Sequence, residues 1–354
     1  MTISCKTVRN LIFIFIALFF ASSGLAKNNQ LGSNQMGWRV FLHKNGRIKA
    51  MQKFEDKKWQ HILFRRDQYG GPGLYTQVNG NTVQIQLYQS DENPFEFIGQ
   101  VSHIKASLEY KVLNDKLAMT VTFHNQGSQV YHPTRAGIRL GVDSYMENYP
   151  EWNNKYFPTL LRCEETHFWG YAMSPNGGIL GIASPDPVAS WHLDYAEHYM
   201  GSELITGGHR IWTMNLDLLN SNPLPERHPQ RQGYLSPGQT KSWTIYLVPI
   251  KKMDVVKPTL SKLTEAPMFE IEKYTFEKGK QTDIKIFSPG PLSLTAKGPQ
   301  TVLKQLTANS DKQGVYKYIY KPDENSGVCK LEATAKNGKQ SRAKVYVRKP
   351  WSWY

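Results

Sequence analysis

Side chains that could carry out chemistry are concentrated between Asp143 and His209. Four of them could donate or accept protons in a reaction on a sugar, and these catalytic candidates are Glu147, Glu151, Asp194 and His198. A glycosidase needs two carboxyl groups about 5–10 Å apart, one on each side of the bond that it cleaves. The sequence does not show that any two of these carboxyl groups meet that condition, so the tertiary structure must decide.

Five aromatic side chains in the same stretch are candidates for binding carbohydrate: Tyr145, Trp152, Tyr156, Trp169 and Trp191. Aromatic faces stack on sugar rings, and nearby carboxylates accept hydrogen bonds from sugar hydroxyl groups. Trp152 lies in a polar segment, which favours exposure. Trp169 and Trp191 lie in apolar, strand-like segments, so an alternative interpretation places both in the core.

Three histidines, His192, His198 and His209, raise the question of a metal ion. Their spacing fits none of the compact zinc motifs, and no helix is expected there to present two ligands one turn apart. We therefore expect no metal ion and no other cofactor. The histidines are interpreted as strand or loop residues held by hydrogen bonds.

The segments that must position these residues alternate apolar and polar side chains with a period of two, as β-strands buried on one face do. The pattern predicts strands at Trp38–Leu42, Thr82–Tyr88, Ser107–Val112, Leu117–Phe123, Phe168–Met173, Ile179–Ala183, Arg210–Leu218 and Trp243–Val248. Asn45-Gly46 favours a tight hairpin turn. We identify no helix after residue 26, so the expected fold class is all-β.

Two β-domains are expected. The larger occupies 27–250, and about seven short strands separated by turn residues predict a small immunoglobulin-like β-sandwich at 268–348. Between them, 251–267 combines prolines with interspersed lysines, which indicates a linker. Three aromatics within 349–354 are expected either to contact a following domain or to fold back onto the small domain.

A long alternating hairpin, Ser107–Leu113 and Leu117–Phe123, is followed by His124–Gly127 and by the strand-like segment Gly137–Asp143. This succession resembles the galactose mutarotase-like β-supersandwich, and Phe41–Ile48 is similar to the way such domains begin. The resemblance covers roughly residues 36–250 and implies a large antiparallel β-supersandwich.

Domains of this kind are often found in front of the α/α-toroid catalytic domains of polysaccharide lyases and six-hairpin glycoside hydrolases, in some cases with a small β-sandwich between the two. The resemblance therefore implies the front part of such an enzyme, with the catalytic domain expected downstream. Free-standing aldose epimerases need a histidine acid and a glutamate base. The corresponding strand here, Gly137–Gly141, has no histidine, so epimerase activity is not expected.

The first 26 residues have the composition of a signal peptide. Two basic residues precede the apolar run Leu11–Ala21, and Ser22–Ala26 offers small residues for cleavage. The run is too short to span a bilayer, so we expect an exported periplasmic or extracellular protein without a membrane span. Cys163 and Cys329, the cysteines that remain, are expected to be small buried residues without a disulfide framework.

The formal net charge is +14, and between Lys251 and Tyr354 twenty lysines and arginines stand against ten aspartates and glutamates. Such an excess also occurs in nucleic-acid-binding proteins. Lysines such as Lys273 and Lys285 are scattered singly at alternating strand positions, which favours solvated strand faces and protected sheet edges. We expect no nucleic-acid partner, while an attraction for acidic polysaccharide stays open.

These observations favour an exported, non-catalytic β-sandwich portion of a polysaccharide-degrading enzyme. Its expected partners are a polysaccharide or oligosaccharide and an α/α-toroid glycoside hydrolase or lyase domain, and it would not be active alone. One alternative is a stand-alone glycan-binding protein, and another is a small carbohydrate enzyme with its site in residues 143–209. The sequence leaves open the sugar, the linkage, the choice between hydrolase and lyase, and the oligomeric state.

Overall fold

The structure is a computed structural model, and it describes residues 30–42, 48–55, 57–62, 73–78, 81–144, 153, 155–195, 211–221, 228–229, 233–298, 301–305, 314–322 and 325–353. Strands dominate these residues, which confirms the predicted all-β fold class. The predicted signal peptide and the Asn45-Gly46 turn lie outside them. Within the described ranges, no helix combines the length and the hydropathy that crossing a bilayer requires.

The larger unit is built from antiparallel sheets. Its strands are β1 (Gln30–Ser33), β2 (Trp38–Leu42), β3 (Ile48–Glu55), β4 (Lys58–His61), β5 (Gly73–Val78), β6 (Asn81–Gln84), β7 (Tyr88–Gln89), β8 (Glu96–Val101), β9 (Ile104–Leu113), β10 (Lys116–Asn125), β11 (Ala136–Arg139), β12 (Phe157–Cys163), β13 (Phe168–Met173), β14 (Ile179–Ser184), β15 (Ser190–Tyr195), β16 (Ile211–Asn220) and β17 (Thr240–Ile250). They form a four-stranded sheet β1-β2-β3-β4, an eight-stranded sheet β12-β13-β14-β17-β10-β9-β8-β7 and a five-stranded sheet β15-β16-β11-β5-β6.

The sheets share one apolar core, which the alternation in their strands produces. In the predicted hairpin β9–β10, Asn114 takes up the left-handed backbone conformation at the turn, with φ of 55°, which asparagine tolerates better than most residues. From β10, Val121 and Phe123 point inward and join Ile138 of β11 and Leu216 of β16 in the same buried cluster. Burial of this shared apolar surface is the main source of the stability of the unit.

The segment predicted to be a linker contains a helix, α1 (Val256–Thr264), which corrects the expectation that the chain lacks helices. Val256, Leu260 and Thr264, spaced by four, lie on its buried face. Leu260 packs into a cluster with Trp169 of β13 and Met268. The sequence signal was weak because the helix has nine residues and carries a proline near its start, a position where proline is tolerated.

A second, smaller sandwich follows α1. Its strands are β18 (Met268–Ile271), β19 (Thr275–Glu277), β20 (Thr282–Phe287), β21 (Leu292–Lys297), β22 (Thr301–Gln305), β23 (Val315–Pro322), β24 (Gly327–Ala335) and β25 (Gln340–Arg348). They form the sheets β18-β20-β23-β22 and β19-β25-β24-β21, and their inward residues make a separate core. The predicted small β-sandwich is therefore present, while its immunoglobulin-like character stays a prediction.

Both cysteines outside the predicted signal peptide are buried free thiols, as expected from the sequence. Beyond β25, Trp351 and Trp353 form one turn of 3-10 helix and are exposed. The Arg348 guanidinium lies 4.6 Å from the centre of the Trp351 ring, and Lys349 Nζ lies 3.4 Å from that of Trp353. Whether these rings contact a following domain or fold back onto the small domain stays a prediction.

Polar contacts join the two sandwiches next to α1. Thr166, in the turn between β12 and β13, donates its hydroxyl proton to the Gln340 carbonyl at 3.3 Å, and its oxygen accepts the Gln340 amide at 2.9 Å. Lys339 Nζ donates to the carbonyls of Thr166, at 3.1 Å, and of Pro185. Ser341 Oγ donates to the Pro267 carbonyl. Because these bonds reach backbone groups on both sides of α1, they fix the orientation of one sandwich against the other.

We expect Leu260→Ala to lower the free energy of unfolding by about 2–5 kcal/mol, because it leaves a cavity in the cluster between α1 and the sheets. Lys262→Ala, on the exposed side of the same helix, should change it by no more than about 0.5 kcal/mol. Urea denaturation of both variants measures the difference. Equal effects would show that α1 is not packed as described.

His167 predicts a pH dependence of stability. Burial, followed by the nearby charges of Lys339 and Arg162, lowers its pKa from 6.5 to about 3. As the pH falls below 6.5, His167 becomes protonated in the unfolded chain but stays neutral in the folded chain. Its contribution therefore lowers the free energy of unfolding by about 1.4 kcal/mol per pH unit. Above pH 6.5 both states are neutral there and the effect vanishes.

Urea denaturation between pH 6.5 and pH 5 tests this dependence. The His167→Gln variant should show a flatter decline of stability than the parent protein. His124→Gln, a change in a more accessible histidine of β10, should leave the decline as it is. A decline that His167→Gln does not alter would contradict the assignment.

Candidate functional site

Most of the predicted catalytic candidates cannot be placed. Glu147, Glu151 and His198 lie outside the described residues, as do two of the predicted carbohydrate-binding aromatics, Tyr145 and Trp152. Asp194 lies in β15, where the backbone alone is described. The proposed roles of these residues stay predictions.

The structure places two of the other predicted carbohydrate-binding residues inside the protein. Tyr156 and Trp169 are each 3% exposed, so neither offers a ring face to a sugar. The binding role predicted for Tyr156 is therefore wrong, and Trp169 takes the core position that the sequence offered as the alternative. Tyr156 belongs to the main core, and Trp169 is covered by α1 because β13 lies under that helix. Trp191 is half-buried: it packs against the main core and also lines a cleft between the two sandwiches.

Polar residues instead gather on the face of the five-stranded sheet that points away from the core. Strand pairing places Tyr75, Gly137, Asp217 and Ser190 in one row across β5, β11, β16 and β15. The next row contains Gly73, Arg139, Asn215 and His192. We call Tyr75, Arg135, His192, Asn215 and Asp217 the Asp217 cluster.

Asp217 is the centre of this cluster and is fully buried. Its Oδ1 accepts a hydrogen bond from the Tyr75 hydroxyl at 2.8 Å and lies 3.1 Å from Arg135 Nε. Its Oδ2 accepts from His192 Nδ1 at 3.2 Å. A buried carboxylate requires such partners, because desolvating an unpaired charge costs several kcal/mol. The side chains of Arg135 and His192 are 28% and 24% exposed, so the cluster reaches the surface through them.

The local sequence explains why Asp217 lies on this face. Leu216 and Leu218 point into the core, and the period of two turns Asp217 to the opposite side. Gly137 separates Tyr75 from Asp217 across the sheet, and a Cβ there would lie 1.9 Å from the Leu216 carbonyl oxygen and 2.7 Å from the Tyr75 hydroxyl. The absence of a side chain at this position lets the tyrosine reach across β11.

Asn215 is the second unusual residue of the cluster. It is 1% exposed, and neither its amide oxygen nor its amide nitrogen has a hydrogen-bond partner among the described residues. Its row neighbours are Arg139 and His192. Buried polar groups are normally hydrogen-bonded, so an amide without a partner among the described residues requires an explanation.

The chemistry of the cluster is hydrogen bonding with one oriented imidazole. Tyr75 and Asp217 fix the His192 ring, whose centre lies 5.8 Å from that of Tyr75 in an edge-to-face arrangement. Asp217 is the only carboxylate of the cluster, so these residues by themselves do not form the pair that a glycosidase uses. In the described part of the chain, no group of three or more His, Cys, Asp or Glu side chains could hold a metal ion.

Sequence reasoning identified only one member of the Asp217 cluster. His192 was expected to be a strand histidine held by hydrogen bonds, and this is confirmed. Tyr75 and Asp217 were missed because 142 residues separate them in the chain. One signal was available: β16 carries polar residues at alternate positions, Thr213, Asn215 and Asp217, between apolar ones.

Neither a protein-family model nor a curated protein sequence matches the chain. Among solved structures, a polysaccharide lyase matches with a TM-score of 0.64 at 16% identity, over 93% of this chain and 48% of the lyase. A galactose mutarotase related enzyme from Lactobacillus acidophilus matches with a TM-score of 0.37 at 8% identity, over 64% of this chain and 99% of the enzyme. A chondroitinase AC lyase matches with a TM-score of 0.30 at 9% identity, over 88% and 49%.

The chain therefore spans about half the length of the polysaccharide lyase whose fold it shares. At this identity the likeness concerns the fold. It confirms the expectation that the two sandwiches are arranged as in part of a polysaccharide-degrading enzyme, and it assigns no activity.

We expect Gly137→Ala to lower the free energy of unfolding by about 1–3 kcal/mol, because the new methyl group collides with the Leu216 carbonyl and the Tyr75 hydroxyl. Gly290→Ala is the matched control, since a Cβ there meets nothing within 4 Å. Chemical denaturation measures both. If the two variants are equally stable, the close approach of Tyr75 over β11 is not present.

Proposed function

We propose that the chain is a carbohydrate-binding β-sandwich portion of a polysaccharide-degrading enzyme, and that the Asp217 cluster contacts the sugar. The observation that carries the proposal is the buried, hydrogen-bonded Asp217 beside the unpaired amide of Asn215, on the face of the sheet that points away from the apolar core. This face reaches the surface through Arg135 and His192. The fold shared with a polysaccharide lyase supports the carbohydrate class but does not establish it.

The cluster suits a sugar because each sugar hydroxyl both donates and accepts hydrogen bonds. Asn215 offers an amide donor and an amide acceptor side by side, without competition from protein groups within the described residues. His192 and Arg135 add polar groups at the surface of the same face. Residues held on strands keep this arrangement in the absence of ligand, which lowers the entropic cost of binding.

We propose that the chain alone does not catalyse cleavage of a polysaccharide. The cluster supplies one carboxylate, and lysis or hydrolysis of a glycosidic bond needs further acid and base groups. We propose that an α/α-toroid glycoside hydrolase or lyase domain supplies them, and that the protein acts after export, in the periplasm or outside the cell. A stand-alone glycan-binding protein would use the same face.

One observation favours a second candidate function. His192 Nδ1 is held by a buried carboxylate, which is how proteins orient an imidazole that acts as a general base. A small carbohydrate enzyme centred on His192 would therefore degrade or modify a glycan without another domain. Product formation by the isolated chain, lost in His192→Gln, would replace the non-catalytic proposal with this one.

Binding is tested by titration calorimetry of the full chain with neutral polysaccharides (xyloglucan, arabinogalactan) and acidic ones (polygalacturonate, alginate). Asp217→Asn should weaken binding of the recognised glycan about 10–100-fold, because it removes a charged group that holds Tyr75, Arg135 and His192. Asp283→Asn, an exposed aspartate of the small sandwich, should bind as the parent protein does.

Asp217→Asn also removes an ion pair, so its folding is checked by circular dichroism. Tyr75→Phe provides a milder variant, since it deletes only the hydroxyl group that donates to Asp217. Weaker binding in both variants supports the proposal. Unchanged affinity in both, or no binding of any glycan by the parent protein, would contradict it.

A further inference from the structure

A cleft of about 920 Å³ lies between the two sandwiches. Ser190, Trp191 and His228 line it on the side of the larger unit. On the other side it is lined by the outer face of the sheet that contains β21, β24 and β25. The cleft is distinct from the Asp217 cluster, yet β15 connects them, because Ser190 is the strand partner of Asp217.

Three lysines form a row across the floor of this cleft. Lys297 of β21 pairs with Lys330 of β24, and Lys330 pairs with Lys344 of β25. All three are exposed and line the cleft. Like charges placed directly opposite each other on adjacent strands destabilise a sheet. None of the three forms an ion pair with a described residue, so this row concentrates positive charge that the described part of the chain does not neutralise.

The adjacent row on the same sheet is arranged differently. There Arg342 Nε lies 2.9 Å from the Glu332 carboxylate, and Arg342 Nη1 lies 2.8 Å from that of Glu165. These carboxylates raise the pKa of Arg342 and compensate its charge. The outer face of the opposite sheet shows the same compensation, since Lys285 Nζ lies 3.0 Å from Glu270. Lys317, the strand partner of Lys285, forms no ion pair with a described residue either. What distinguishes the lysine row is that three lysines stand side by side and all line the cleft.

This arrangement corrects the expectation that the lysines of the last third are scattered singly. Lys297, Lys330 and Lys344 are 33 and 14 residues apart in the sequence, and antiparallel pairing brings them together. Lys285 fits the original interpretation of a solvated strand face.

Both walls of the cleft are held in place. The hydrogen bonds of Thr166 and Lys339 tie β25 and the turn before it to the larger unit, close to the cleft. Trp191 lines the same cleft and is anchored by its packing against the main core. A cleft that combines aromatic surface with a row of ammonium groups offers an apolar contact for a sugar ring and charge for its acidic substituents.

We propose that this cleft binds a carboxylated polysaccharide, a chain with uronate residues, through Lys297, Lys330 and Lys344. The inference rests on the proposed function and adds a second binding surface to it. Adjacent strands lie about 4.8 Å apart, so three lysines in a row present charge over about 10 Å, the length of two sugar residues. A bound chain would continue over β15 toward the Asp217 cluster.

The test is calorimetric titration of the full chain with polygalacturonate at two salt concentrations. The triple variant Lys297→Gln, Lys330→Gln, Lys344→Gln should bind about tenfold more weakly and show a smaller salt dependence, because each exposed ion pair contributes modestly. The control carries the same loss of charge outside the cleft, in Lys278→Gln, Lys280→Gln, Lys317→Gln, and should stay within about twofold of the parent protein. Fully methyl-esterified polygalacturonate should bind as weakly as the triple variant binds the acid form.

Several outcomes would overturn the inference: equal affinity of the cleft variant and the parent protein, equal loss in the control, or equal binding of the esterified polymer. Tighter binding of single-stranded DNA of matched charge would assign the row to nucleic acid instead. The same titrations distinguish a failure of this inference from a failure of the proposed function. If lysine-dependent binding persists in Tyr75→Phe and Asp217→Asn, the cleft stands and the Asp217 cluster does not. If only neutral glycans bind, the Asp217 cluster stands as a binding site and the proposal for the cleft does not.

Discussion

The apolar layer shared by the eight-stranded and five-stranded sheets is the constraint on which the rest of the larger unit depends. Leu216 and Ile138 must face that layer, and the alternation of the strand then directs Asp217 and Arg139 to the other side. The polar face is therefore a consequence of core formation. A shift of one residue in the register of β16 would bury Asp217 in the core, so the same apolar burial that stabilises the fold also fixes the cluster.

The Asp217 cluster carries features that are unfavourable for stability alone. A fully buried carboxylate and an unpaired buried amide each cost free energy of desolvation. The protein offsets the first cost with Tyr75, Arg135 and His192, and the glycine at position 137 permits one of those contacts. The second cost is not offset within the described residues, and this is the observation behind the binding role proposed for Asn215.

The contacts around α1 fix the position of the two sandwiches relative to each other. The helix buries Leu260 against the larger unit, and the polar contacts of Thr166 and Lys339 hold the turn that begins β25. Two neighbouring rows of side chains lie on the outer face of that sheet. The row with Glu332 and Arg342 contains an ion pair, whereas the lysine row contains none among the described residues. Because compensation is local, the lysine row keeps a positive potential inside the cleft that Trp191 also lines.

The sequence by itself determined the elements whose signal is local. Alternating residues predicted the all-β class and the β9–β10 hairpin, the short strands after residue 268 predicted a small sandwich, and the isolated thiols were expected to be free. It missed α1, because a nine-residue helix with a proline shows little periodicity. It left Trp169 open between a sugar-binding and a core position, and the structure places it in the core.

Only the tertiary structure decided which residues meet. Tyr75 reaches Asp217 across 142 residues, and three separate lysines align because strand pairing sets their register. Periodicity reports which side of a strand a residue occupies, whereas its partners across the sheet depend on the order and register of strands distant in the chain. For that reason the positions of the polar side chains could be predicted, and their assembly into a site could not.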